Sequence, residues 1–122
     1  DIEYQVYGTV IANPPPNHQQ FYWENMQGNQ SFRLVYNSEN EYILGINVMG
    51  IRLRHEVCDK WIKDKYTASQ VISMLHLASF DPEFFNPVHQ LIAKKFNTEH
   101  GIKSKTKMKG NYNQTYHFLH SK

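Results

Sequence analysis

Glu41–Lys65 reads Glu-Tyr-Ile-Leu-Gly-Ile-Asn-Val-Met-Gly-Ile-Arg-Leu-Arg-His-Glu-Val-Cys-Asp-Lys-Trp-Ile-Lys-Asp-Lys. Tyr42, Leu44, Ile46 and Val48 recur every second residue, the period of one buried strand face. From Leu53 the apolar positions move to Val57, Cys58, Trp61 and Ile62, which is helical spacing. Gly50 stands where the period changes. The backbone must turn sharply there or pass close to something. The stretch therefore predicts a strand that turns into a helix.

Upstream, three further strands are expected. Glu3–Ala12 alternates with Tyr4, Val6 and Val10 on one face and Tyr7, Thr9 and Ile11 on the other. Apolar groups on both faces imply cover on both sides or a partner. Asn13-Pro14-Pro15-Pro16-Asn17 stops that strand, since proline donates nothing to a ladder. Gln19–Met26 places Phe21 and Trp23 opposite Tyr22 and Glu24. Gln30–Tyr36 sets Phe32, Leu34 and Tyr36 against Ser31, Arg33 and Val35. Gln27-Gly28-Asn29 and Asn37-Ser38-Glu39-Asn40 are the connecting turns, and sequential strands with tight turns pair as an antiparallel meander.

Downstream, the reading is helical. Thr67-Ala68-Ser69-Gln70 has the capping-box form ahead of Val71, Ile72 and Leu75. Asp81-Pro82 and Asn86-Pro87 each place proline at a first helical position, which predicts a short turn through Phe85 and a break before Pro87. Val88, Leu91, Ile92 and Phe96 give a third apolar stripe. The expected fold is α+β, an antiparallel meander of about four to five strands with two to three helices on one face. Residues 1–103 form one domain. Residues 104–122 are a basic tail, with Asn113–His120 as a candidate added edge strand.

Composition narrows the function classes. The chain has 122 residues, 40% hydrophobic and 14% aromatic, enough for one core without staples. Net charge is only +2, so no strong polyelectrolyte partner follows from the total. Lys103, Lys105, Lys107, Lys109 and Lys122, however, share the last twenty residues with no acid among them. The single cysteine, Cys58, continues the buried stripe and can form no internal disulfide, consistent with a reducing, cytoplasmic setting. No apolar run reaches membrane-spanning length. Asp1 in place of an initiator methionine is what a piece of a longer chain would show.

No phosphate loop, dinucleotide fingerprint, C-x-x-C or H-E-x-x-H is present. Seven histidines are scattered, and only His117 and His120 are close in sequence, so no metal site is expected. The densest polar cluster is Arg52, Arg54, His55 and Glu56. Arg52 and Glu56 stand four apart, a spacing that pairs on a helix. A Cys58–His55 nucleophile pair would need a third, orienting group, and none is evident. Nucleic acid is the less favoured partner class, since no RNA-binding aromatic signature accompanies the lysines.

Ile43-Leu44-Gly45-Ile46-Asn47-Val48-Met49-Gly50, then Glu56, then Thr67 ahead of an apolar helix, resembles the C-terminal interface or dimerisation domain of FAD/NAD-linked pyridine nucleotide reductases. In that family a strand close to Ile-Leu-Gly-Ala leads through a second glycine into a helix carrying Glu, and the next helix opens with Thr. Leu44-Gly45, Gly50, Glu56 and Thr67 match these elements, and the resemblance covers roughly Gln19 to Phe85. The disulfide-reductase branch adds a His-Pro acid–base segment after the second helix. Here Leu75–Glu83 has no His-Pro pair and Asp81-Pro82 stands in its place, so no acid–base role passes to His76.

The resemblance implies a non-catalytic interface domain of an FAD-dependent NAD(P)H oxidoreductase. FAD and NAD(P)H would be held by other domains of the parent chain, and a homodimer is expected. Interface candidates are Tyr4, Tyr7, Tyr22, Trp23, Arg52, Arg54, Glu56 and Phe85. The rival reading is an independent module that binds nucleic acid or an acidic partner through its basic, aromatic tail.

Overall fold

The computed structural model describes residues 4–8, 15–81 and 86–110, with side chains to Gly101. Four strands, β1 (Tyr4–Gly8), β2 (His18–Glu24), β3 (Ser31–Asn37) and β4 (Ile43–Met49), form one sheet in the order β1-β4-β3-β2. Every pairing is antiparallel. β2, β3 and β4 are the expected meander, and β1 adds to its far side along β4. Helices α1 (His55–Lys63), α2 (Ala68–Ser73) and α3 (Pro87–Gly110) follow, with a 3-10 turn at Leu75–Ala78. This is the α+β fold that strands first and helices after predicted.

The core lies between one sheet face and the helices. Tyr7, Phe21, Trp23, Phe32, Leu34, Ile46 and Val48 meet Cys58, Trp61, Val71, Ile72, Leu75, Ile92 and Phe96. At about 25 cal/mol per Å² of apolar surface, these side chains dominate the stability. Phe96 anchors α3, its ring edge-on to Phe21 with centroids 5.3 Å apart. α1 begins two residues later than the apolar spacing suggested. Leu53 is fully buried in the preceding loop, where its amide donates to Gln5 Oε1 at 3.0 Å.

β4 departs from strict alternation. Val35 pairs with Gly45 but Tyr36 pairs with Ile43, which leaves Leu44 as an extra residue. Such a bulge inverts the faces on its two sides. Ile46 and Val48 point inward as expected. Before the bulge, Ile43 takes the buried place, and Tyr42 is 39% exposed. The period-two reading that grouped Tyr42 and Leu44 with Ile46 is corrected at this point.

The punctuation residues act as their chemistry requires. Gly28 (φ +73°) closes the first hairpin, its amide donating to Asn25 O at 3.1 Å. Gly50 (φ +69°) ends β4 against that hairpin, and a Cβ there would stand 2.1 Å from Asn29 O. Thr67 and Gln70 form the capping box: the Gln70 amide donates to Thr67 Oγ1 at 3.2 Å, and Gln70 Oε1 accepts from the Thr67 amide at 2.9 Å. α3 opens on Pro87, with Asn86 Oδ1 accepting from the Val88 amide at 3.0 Å. α3 then runs through residue 103 without interruption, so the lysine run to Lys109 belongs to a helix. The expected turn through Phe85 and the strand at Asn113–His120 lie outside the described residues.

Candidate interaction surface

The second face of the sheet carries no described helix. Cross-strand register builds it row by row: Tyr4, Met49, Ser31 and Glu24, then Val6, Asn47, Arg33 and Tyr22. Gly45, Val35 and Gln20 form the next row. Tyr4 is 61% and Val6 48% exposed. These two are the apolar groups of β1 that face away from the core.

The face is pre-organised by its own polar contacts. The Arg33 guanidinium lies 4.5 Å from the Tyr22 ring centroid and donates to Gln20 Oε1 at 2.6 Å. Stacking and a hydrogen bond together fix a long side chain that would otherwise lose entropy on binding. The Tyr22 hydroxyl donates to Glu24 Oε2 at 3.5 Å, and Asn47 Nδ2 donates to Tyr4 Oη. Val35, on this side, is fully buried and stands outside the helix-side core. The result, among the described residues, is an aromatic and amide surface that carries Arg33 and Glu24.

The eight sequence candidates separate into groups. Tyr4 and Tyr22 lie on this face. Tyr7 and Trp23 point the other way, 2% and 7% exposed, and are core residues. The Tyr7 hydroxyl donates to Leu53 O at 3.1 Å, and its ring meets His55 edge-on at 4.9 Å. Alternation already placed Tyr4 and Tyr7 on opposite sides; which side faced the helices was not encoded locally.

Arg52, Arg54 and Glu56 cluster at the start of α1, away from the open face. Arg52 precedes the helix, which begins at His55. Its guanidinium lies 5.6 Å from the Phe80 ring centroid, beside a cleft of about 280 Å³ that Gly50, Phe80, Asp81 and Asn86 help to line. Arg54 pairs with the first-turn carboxylate of α1, Nη1 standing 3.6 Å from Glu56 Oε1. Arg54 Nη2 also donates to Leu77 O at 2.7 Å, and its amide to Ala78 O at 2.7 Å. Arg54 thus ties the loop to the 3-10 turn. Phe85 lies outside the described residues.

The nucleophile reading of Cys58 fails on chemistry. The thiol is fully buried, and burial, with Asp59 and Glu56 nearby, pushes it up to about 12. A thiolate needs the opposite surroundings. Among the described residues no three of His, Cys, Asp and Glu gather to hold a metal ion. Among them too, no helix is long and apolar enough to cross a membrane.

One constellation had no sequence signal. His100 Nε2 lies 3.0 Å from both carboxylate oxygens of Glu41, 59 positions away, and its ring stacks on Phe96 at 5.1 Å. Glu41 holds a positive φ of 64° in the turn before β4. Tyr36 lies buried alongside, its phenol pushed above the usual range by burial and then by Glu41 and Glu99.

Comparison of the chain with protein-family models, with curated proteins and with solved structures returns no match.

Proposed function

We propose that this domain is a non-catalytic interface domain of an FAD-dependent NAD(P)H oxidoreductase, docking through the open face of its sheet. The observation that carries the reading is the division of the sheet. One face buries the core under the described helices, and the other carries Tyr4, Val6, Tyr22, Arg33 and Asn47, with Tyr4 and Val6 exposed. The family pattern falls on places with structural work to do. Leu44-Gly45 is the bulge, Gly50 the close approach to the hairpin, Glu56 the first turn of α1, and Thr67 the cap of α2.

FAD and NAD(P)H belong, on this reading, to the parent's other domains, and the partner surface is supplied by them or by a second subunit. The open face would cover part of the nucleotide-binding domains and hold them in register. The test uses the gene product of the complete reading frame. It is expected to purify with bound flavin and to oxidise NADH or NADPH with an artificial acceptor. Tyr4→Asp with Val6→Asp should release flavin while the domain still unfolds cooperatively. A gene product that binds no flavin and oxidises neither nucleotide overturns the proposal.

A further inference from the structure

Among the described residues, two that are not glycine hold a positive φ, Glu41 at 64° and Lys65 at 58°. Lys65 closes α1 in a Schellman arrangement. Its amide donates to Ile62 O at 3.2 Å and the Tyr66 amide donates to Trp61 O at 2.9 Å, a helix end that commonly uses this conformation. Glu41 ends no helix. It closes the β3–β4 turn, at a conformation that suits glycine or asparagine. A Cβ there lowers the left-handed population about 5- to 30-fold.

Three elements meet on this residue. Its amide donates to Asn37 O at 2.9 Å within the turn. Its carbonyl accepts from the Ala68 amide at 2.9 Å. Ala68 is the first residue of α2, and the opening amides of a helix have no partner inside it. Its carboxylate meets α3, with His100 Nε2 at 3.0 Å from each oxygen and the imidazole stacked on Phe96.

We infer that Glu41 is a relay that couples the docking of α3 at His100 to the start of α2. Rotation about its N–Cα bond carries the carboxylate and the carbonyl together. A change of φ that frees His100 therefore also draws the carbonyl away from Ala68. The two-state element is this one torsion, left-handed with both contacts or relaxed with neither. Coupling of this kind is reciprocal, so loss of the α2 contact also loosens α3 at His100. The turn has bonds of its own, Asn37 Oδ1 accepting from the amides of Glu39 and Asn40 at 2.8 and 3.3 Å. Were these enough to hold φ, Ala68 would not register the loss of His100. The relay does not depend on the flavoprotein reading.

The test is amide hydrogen exchange of the full chain at constant pH, read residue by residue by NMR. His100→Ala should speed exchange of the Ala68 amide about 5- to 30-fold, the left-handed preference that the contact offsets. The amides of Leu34 and Ile46, paired in the middle of the sheet, should keep their rates. Glycine enters the left-handed region without the Cβ cost. Glu41→Gly loses the same carboxylate, yet Ala68 should stay protected there, and adding His100→Ala should change its rate no further. Three results overturn the inference: an Ala68 rate that His100→Ala leaves untouched, one that rises only as far as those of Leu34 and Ile46, or one that rises equally in Glu41→Gly.

Discussion

Gly28 and Gly50 have nearly the same backbone, φ +73° and +69°, in different surroundings. Alanine at either position must adopt the left-handed region, which costs roughly 1–2 kcal/mol for a residue with a Cβ. At Gly28 nothing lies within 4 Å of the added carbon, so that cost is the whole effect. At Gly50 the same carbon would stand 2.1 Å from Asn29 O and 3.3 Å from Gln30 Cα. Backbone atoms of a tight turn yield only by moving the turn, and Asn25 Oδ1 already holds the amides of Asn29 and Gln30 at 3.0 Å. Overpacking of this kind adds about 1–3 kcal/mol. Gly50→Ala should therefore lose about 2–5 kcal/mol where Gly28→Ala loses about 1–2. Urea unfolding followed by tryptophan fluorescence reads both, since Trp23 and Trp61 are buried. Gly28→Asn sharpens the comparison, because asparagine enters the left-handed region readily and should stay near the parent stability. Equal losses for the two alanine variants would show that the hairpin moves freely against β4, and the close-approach argument would be wrong.

Other outcomes follow from single side chains. Thr67→Ala removes the hydroxyl half of the capping box and should cost about 1 kcal/mol, read from the urea midpoint. Cys58, buried and pushed up to about 12, should resist iodoacetamide in the folded protein and react only when urea opens the core. Labelling at the rate of a free thiol in native buffer would contradict its burial. His89 is held below the usual histidine value by burial and then by His76, so folding favours its neutral form. Its contribution is whole above the unfolded-state value of about 6.5 and is lost as pH falls below it. His89→Gln should flatten that acid limb in thermal melts taken from pH 7 to pH 4, and an unchanged limb would remove the assignment.

The elements of the fold were legible because their signals are local. Alternation in β2 and β3, the Thr67–Gln70 box and proline at the start of α3 each act within a few residues. Three features were not legible, each for a physical reason. The bulge at Leu44 depends on how β3 and β4 align, and no window of β4 alone contains that alignment. The inward turn of Tyr7 and Trp23 depends on which sheet face the helices choose, a decision made between elements far apart in sequence. The Glu41–His100 contact joins residues 59 positions apart through the path of α3. Tyr4 and Tyr22 share the second face through the cross-strand register, but the sequence named them together with Tyr7 and Trp23, which alternation puts on the opposite side.

Lys95 has a consequence for the order of events during folding. β2 is an outer strand, and Lys95 Nζ donates to the carbonyl of Tyr22 within it, while also lying 5.7 Å from the Phe21 ring centroid and 3.5 Å from Glu99. The lysine comes 73 residues later in the chain than the strand it protects. During synthesis, β2 and β3 have emerged long before their guard exists. The nascent sheet therefore passes through an interval with a bare, aromatic edge of the kind that recruits foreign strands. Docking of α3 ends that interval, so the helix that completes the core also closes the window for misassembly.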